Sequence, residues 1–505
     1  MPIDSVGCYI DPTVEIVPEI RYTLDLFLST LGVAHRFVSS LKKIADYAVG
    51  IAYLSGEQAA LPDQVDGVIL RASPEAREFF QGAQPAPAHP SGYLIYKGRR
   101  APILFGAGQD VEGEMLVEQA RSRGTVDVPA DLVTSAFWFV SRWEESKTEE
   151  RDEWGRFRYA DSLYARLTNG AMHVVDDYLV FWADLLRASM EHRSRRLWWA
   201  PMWPKDAPFA VCLTHDIDML WKWDLRRVIG EAGYLRRAFI TGGLPAALRR
   251  IGLAAYSLWK DPNPCGRVLS LGEREQQAGV SSTYFFLAGR HHRLDGKYDV
   301  SRPGVSALIQ GLLAQGHEVG LHGSFTTLGN PARLRAERER LEQVAGPVRG
   351  VRQHYLRFDV RVSWGQFAEA GFGYDTSLGF AEQVGSRAGI SFPFLPYNVY
   401  RRQAVPLVEI PLTIMDATLH SYHLADAQSA WNTIEGVLDR VRVCGGCCTI
   451  LWHNSTFDEL DAPGYGALYW RLLAWARARG AWIAPAGEVA RWWLERITAS
   501  GALLA

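Results

Sequence analysis

The chain has 505 residues, 48% of them hydrophobic, and a formal net charge of -2. That is enough apolar material for two or more packed domains, because single cores rarely grow past a few hundred residues. Acids and bases are interspersed with no long basic block, which argues against a nucleic-acid partner.

The N-terminal stretch MPIDSVGCYIDPTVEIVPEI has no basic flank leading into an apolar core, so no secretory signal is read there. No uninterrupted apolar run is long enough to span a bilayer, and the cytoplasm is the default expectation. Residues 1–200 contain short strand-like runs, GYLIYKG and APILFG, punctuated by Pro and Gly, and then a helical pattern from Ala130 to Glu145. They read as a mixed α/β accessory domain. It ends in DDYLVFWADLLRASMEHRSRRLWWAPMWP, a helix running into a Trp/Pro-rich connector around Leu197 to Pro204.

A second domain is expected over residues 205–495. There FAVCLT, STYFFLA, HEVGLH, PVRGVR, FGYDTS, LVEIPL, CTILWH and AWIAPA alternate with longer helical segments. Such alternation predicts an α/β fold of parallel strands with helices outside, as a barrel or an open doubly wound sheet. Six strand ends carry polar residues, HDID, HGS, RQH, YDTS, PLTIMD and WHNS, and strand C-termini are where such folds build their sites. The segment at about 221–280 is an Arg- and aromatic-rich insertion after the first strand. A solvated helix pair packed on the barrel explains it best, with a membrane-surface or substrate-covering element as the alternative.

Six cysteines are too few for a disulfide scaffold, and Cys444, Cys447 and Cys448 sit together in CGGCC. No second CxxC completes a closed zinc site, so this reads as a turn into a buried strand. Most of the eighteen tryptophans have helical or connector spacing and read as packing. Flat apolar rings with a polar N–H suit the faces of sugars, and Trp452 adjoins His453.

Asp216 and Asp218 alternate at a strand end, so extended geometry puts both on one side. One carboxylate can hold a divalent cation while the other takes a proton from water. Equally, Asp218 can cap the next helix. His317 enters and His322 leaves the next strand but one, and their odd spacing sends them to opposite faces. His322, followed by Gly and Ser, is the one expected to reach a site. Arg352 can pair with a carboxylate and keep it ionised, and His354 adds a further imidazole. His453, delivered by ILWHNS, can act as a general acid to a leaving group or as oxyanion support.

In their order these motifs resemble the NodB-homology polysaccharide deacetylases, carbohydrate esterase family four, over about residues 205–490. LTHDID stands where the family has T-F-D-D, and GHEVGLHGS is similar to G-H-E-I-G-N-H-T. VRQHYLR stands for R-x-P-Y, GYDTS for the fourth motif and LWHN for the terminal L-x-H. The resemblance implies a distorted (β/α) barrel and metal-dependent removal of an acetyl group from an N-acetylated sugar. It makes Asp216 the general base, Asp218 and His322 metal ligands, Arg352 the tether of Asp216, and His453 the acid to the departing amine. Asp375 takes the supporting role of the fourth motif. The cation implied is zinc, with nickel or cobalt as alternatives, and the partner is an acetylated carbohydrate.

One position departs from the pattern. The family's second metal histidine lies four residues after the first, and Thr326 stands there. His354, where the family has proline, is the candidate replacement. Two other readings stay open: a catalytically silent carbohydrate-binding or assembly protein, and a hydrolase of another amide or ester. In the N-terminal part, FWFVSRWEES, DEWGRFRYADS and HVVDDY resemble the accessory region of a bacterial subgroup tied to surface-polysaccharide biosynthesis. RWEESKTEERDEWGRF has the composition of a sugar-contacting loop, though an interdomain latch explains it better.

Overall fold

The computed structural model describes residues 3–56, 60–82, 84–167, 172–197, 199–222, 225–260, 263 and 266–500. Trp198 of the connector and residues 223–224, 261–262 and 264–265 of the insertion lie outside the described residues.

The chain opens with β1 (Ile3–Ile10), α1 (Val17–Leu31), β2 (His35–Phe37), β3 (Tyr47–Leu54), β4 (Gly67–Arg71) and α2 (Pro74–Gln81). It continues through β5 (Gly92–Tyr96), β6 (Arg99–Ile103), β7 (Val111–Glu112), α3 (Gly113–Arg123) and β8 (Thr125–Val128). Five of these strands form a parallel sheet in the order β2-β1-β3-β4-β8, while β5 and β6 form a hairpin flanked by β7. The hairpin turns through Lys97 and Gly98, both at positive φ, the two-residue loop whose twist matches paired strands.

Next come α4 (Leu132–Val140), α5 (Trp143–Ser146), α6 (Leu163–Leu167) and α7 (Val174–Glu191). The single helix expected over Ala130 to Glu145 is two. Asp131 caps the first by accepting from Thr134 N–H at 3.0 Å, and Arg142 breaks it with φ 53°. The break turns Arg142 inward onto Glu145, where its charge is paired.

The second half builds β9 (Ala210–Ile217), α8 (Leu225–Lys260), α9 (Val268–Gln277), β10 (Thr283–Leu287), α10 (Pro303–Ala314), β11 (Glu318–Gly323), α11 (Pro331–Ala345) and β12 (Gly350–Gln353). After these come α12 (Ser363–Glu369), β13 (Tyr374–Asp375), the pair β14 (Tyr397–Asn398) and β15 (Gln403–Ala404), β16 (Val408–Glu409) and β17 (Leu412–Met415). The chain ends with α13 (Ala427–Cys444), β18 (Cys447–Leu451), α14 (Tyr465–Ala478), β19 (Trp482–Pro485) and α15 (Ala486–Ala499).

The strands of this half pair in parallel in the order β16-β13-β12-β11-β10-β9-β18-β17. β19 takes the first half of one β9 edge and β10 the second. β16 and β17 belong to one extended run. Its first part bonds to β13, with Ile410 N–H donating to Asp375 O, and its second part pairs with β18. Pro411, which has no N–H to offer, sits where the run changes partners. The sheet therefore closes on itself, and the fold is a distorted (β/α) barrel preceded by a mixed α/β portion. Every β9 side chain is buried, as expected of a parallel strand covered on both faces.

Among the described residues no break in the core separates the two portions. One buried apolar cluster takes Val6, Phe27 and Trp182 from the first and Phe285, Val351 and Trp493 from the second. The connector is a packed joint: Trp203 lies 5.8 Å from Trp482 and 5.5 Å from Trp493, and donates to Gly445 O. CGGCC is the turn its sequence suggests. Gly445 ends α13 at φ 76°, and a Cβ on Gly446 would meet Ser391 Oγ. Cys447 and Cys448 start β18, and burial pushes both thiols up. Among the described residues no helix is long and apolar enough to cross a membrane.

Candidate active site

Parallel register decides which side chains meet at the C-terminal end of the barrel. β9 delivers Asp216 near its end, and Asp218 follows two residues later. His322 of β11 stands level with Arg352 of β12, so both project from the same face. His354 follows β12, and His453 follows β18.

The three histidines converge on Asp218. Its Oδ1 lies 3.3 Å from His322 Nε2 and 3.4 Å from His354 Nε2, and its Oδ2 lies 3.7 Å from His453 Nε2. Asp216 Oδ2 is 3.6 Å from His322 Nε2, and Asp216 Oδ1 is 3.6 Å from Arg352 Nη1. Arg352 is fully buried and held from behind, donating from Nε to Thr376 Oγ1 (2.6 Å) and from Nη2 to Thr214 Oγ1 (3.0 Å).

Each histidine turns its Nδ1 away from this centre. His322 Nδ1 donates to Arg352 O at 2.9 Å, which turns Nε2 toward Asp218. His354 Nδ1 faces Asp295 Oδ1 at 3.8 Å. His453 Nδ1 lies 2.6 Å from Asp416 Oδ1, and its backbone N–H donates to Asp416 Oδ2 at 2.7 Å. Burial works against a charged His453 ring, but Asp416 and then Asp218 and Asp216 outweigh it and raise its pKa to about 10. Burial likewise opposes ionisation of Asp218, yet His354, His322 and His453 hold it well below the ordinary carboxylate range.

This corner suits a divalent cation. Asp218, His322 and His354 each offer one ligand atom, and these lie within 4.8 Å of one another. Asp218 Oδ1 is buried with no hydrogen-bond partner, as are Asp216 Oδ1 and Arg352 Nη1. Two nitrogens and a carboxylate oxygen form the donor set of a catalytic zinc site with an open position, and carboxylates behind the histidines are its usual support.

Asp375 is not brought to the others. It stands level with Val351, one residue before Arg352, so it leaves the sheet on the opposite face. There Ser377 N–H and Oγ donate to its Oδ1, and it neighbours Glu409, which accepts from Trp364 Nε1. Burial pushes both carboxyls up, and the Asp375 charge pushes Glu409 further. The carboxylate behind His453 is Asp416, one residue past β17. PLTIMD marked this strand end in the sequence, but nothing paired it with a histidine. Asp295, behind His354, accepts from the N–H groups of His291, His292 and Phe325, and its sequence context HHRLDG carries no signal of that role.

Trp452 is fully buried against Tyr465 and Tyr469, because strand alternation turns it away from the side that His453 faces. The ring beside the site is Trp154, stacked on Tyr355 at 5.2 Å and 14°. Its loop is latched to the barrel: Arg357 Nε donates to Trp154 O at 2.7 Å, and Arg156 Nη1 to Tyr355 O at 3.3 Å.

Residues 10–191 match the model of a protein family described as a family of unknown function, DUF7033. None of the curated proteins compared matches the chain. Among solved structures the chain is similar to a protein described as a polysaccharide deacetylase from Mycobacterium smegmatis, at 19% identity and TM-score 0.39, over 58% of this chain and 93% of that one. It is also similar to PuuE allantoinase, at 14% identity and TM-score 0.40, over 58% and 93%. A third likeness is to a probable polysaccharide deacetylase from Pseudomonas aeruginosa PAO1, at 14% identity and TM-score 0.39, over 58% and 94%.

Proposed function

We propose that the chain is a metal-dependent hydrolase that removes an acetyl group from an N-acetylated sugar of a bacterial surface polysaccharide or its precursor. The observation that carries the reading is the meeting of Asp218, His322 and His354 between Asp216 and His453. The sugar comes from the motif resemblance. On the same reading residues 1–200 form an accessory domain, residues 205–495 the catalytic barrel, and the protein works on the cytoplasmic side.

Asp218, His322 and His354 would hold the cation, zinc first, with nickel or cobalt as alternatives. When bound, it would polarise the acyl carbonyl and acidify a water. Asp216 takes a proton from the attacking water as general base, and Arg352 at 3.6 Å keeps the carboxylate oriented. His453, protonated through its contact with Asp416, gives a proton to the departing amine, and acetate is released. Trp154 and Tyr355 form the wall on which a sugar face can lie.

Metal content after dialysis tests the reading. The wild type should retain about one equivalent of cation, and both Asp218→Ala and His354→Ala should lose it. A wild type that takes up none from excess cation would favour the catalytically silent carbohydrate-binding alternative. Metal with activity on a different acyl compound would move the substrate class instead.

Asp416 yields a second prediction. Asp416→Asn removes the charge that raises His453 most, so the ring should lose its proton at lower pH. A general acid works while protonated, and the alkaline limb of the kcat profile should therefore move down in pH. An unmoved limb would take His453 out of the acid role.

A further inference from the structure

The long insertion helix α8 carries its bulky apolar side chains on the wrong side for a helix packed on a barrel. Gly243, at φ 69°, and Pro245 kink it in the middle. Beyond the kink, Leu244, Leu248, Ile251 and Trp259 recur at helical spacing along one exposed stripe, with Leu244 60% and Trp259 80% exposed. Before it, Phe239 and Ile240 are exposed as well, Ile240 at 69%. Among the described side chains the half-buried positions are Ala246, Ala247, Arg250 and Ala254 beyond the kink and Leu235 and Ala238 before it, while Leu253 and Tyr256 are exposed off the stripe. Arg250 fastens this inner face, donating to Leu460 O at 2.9 Å and to Asp461 Oδ1 at 3.1 Å. A solvated helix pair would show the reverse arrangement.

The charge of the segment points to the occupant. Residues 232–260 contain no Asp or Glu, but they hold Arg236, Arg237, Arg249, Arg250 and Lys260. Arg236 and Arg249 are exposed among the apolar side chains. A two-fold pairing with a second copy would set this basic surface against itself. An anionic bilayer meets both features, with aromatic and aliphatic groups entering the headgroup boundary and arginines on lipid phosphates.

The helix is also tied to the rim of the site. Asp218 is followed by exposed Met219 and Trp221. Asn454, next to His453, donates to Met219 O at 2.7 Å, while Asn263 accepts from Lys222 N–H and donates to Leu220 O. Lys222 is paired with Asp458 on the loop that carries Leu460 and Asp461.

We propose that α8, with Met219 and Trp221, docks the protein on an anionic membrane surface and sets the mouth of the site at the lipid boundary. The docking stands on the exposed face alone. That the acetylated sugar is presented there on a lipid carrier rests on the hydrolase reading as well.

Flotation of the full-length protein with phosphatidylcholine vesicles, with and without phosphatidylglycerol, tests it. Binding should be about tenfold greater to the anionic vesicles and should weaken at high salt. The triple variant Ile240→Ser, Leu244→Ser, Trp259→Ser and the double variant Arg236→Glu, Arg249→Glu should each lose about tenfold in binding. Both should keep the wild-type circular dichroism and metal content. No preference for anionic vesicles, or unchanged binding in both variants, would overturn the proposal. So would a wild-type dimer that the triple variant converts to monomer, with no vesicle binding in either. Vesicle binding by Asp218→Ala separates the two readings: retained, it upholds docking whatever the fate of the hydrolase assignment.

Discussion

Asp216→Asn, with its metal site filled, should release acetate about 10²–10⁴-fold more slowly than the wild type from whichever acetylated aminosugar the wild type turns over. The substitution keeps the shape of the side chain and removes its basicity. Asp216 Oδ1 is buried with no hydrogen-bond partner and faces the equally unpartnered Arg352 Nη1. A base needs a carboxylate lone pair, which an amide cannot supply. Metal content separates this role from ligation, because a base lost to Asn leaves Asp218, His322 and His354 untouched. Turnover within a few-fold of wild type would take Asp216 out of the chemistry. Loss of metal along with activity would make it a ligand.

Much of this centre is legible in the sequence because parallel α/β folds put chemistry at strand ends, and strand ends show as an apolar run breaking into polar residues. HDID, HGS, RQH and WHNS are all of that kind, and the structure gathers their Asp216, Asp218, His322, Arg352, His354 and His453 within a few ångströms. What sequence spacing does not give is the face of a very short strand. Asp375 sits in a strand of two residues, and a shift of one position sends it behind the sheet to Glu409. Asp416 and Asp295 are illegible for a different reason, since each supports a histidine far away in the chain. Trp452 is turned into the core by the alternation that turns His453 toward Asp218. The insertion reads as helical, but its outward apolar stripe becomes visible only when the neighbours of Arg250 are known.

Glu145→Gln should destabilise the fold by about 3–5 kcal/mol, read as a shift of the denaturation midpoint. Glu145 is almost completely buried between two equally buried arginines. Arg142 Nε donates to its Oε1 at 2.7 Å, Arg387 Nε donates to the same oxygen at 2.8 Å, and Arg387 Nη2 reaches Oε2. The triad joins the break between α4 and α5 to the segment after β13, so it ties the N-terminal portion to the barrel. Most of the cost comes from the two guanidinium charges left in the interior without a counter-charge, not from the bonds removed. Replacing all three residues by apolar side chains of similar volume should therefore recover much of the loss. The pH dependence has a definite sign. Burial opposes ionisation, but Arg387 and Arg142 lower the Glu145 pKa from 4.5 to about 2 in the folded protein. A carboxylate with a depressed folded value contributes fully above its unfolded value, and that contribution fades as the pH falls toward 2. Acid denaturation of the wild type should thus be steeper than that of the all-apolar variant between those limits. Equal acid sensitivity in the two would show that the triad fixes geometry without adding stability.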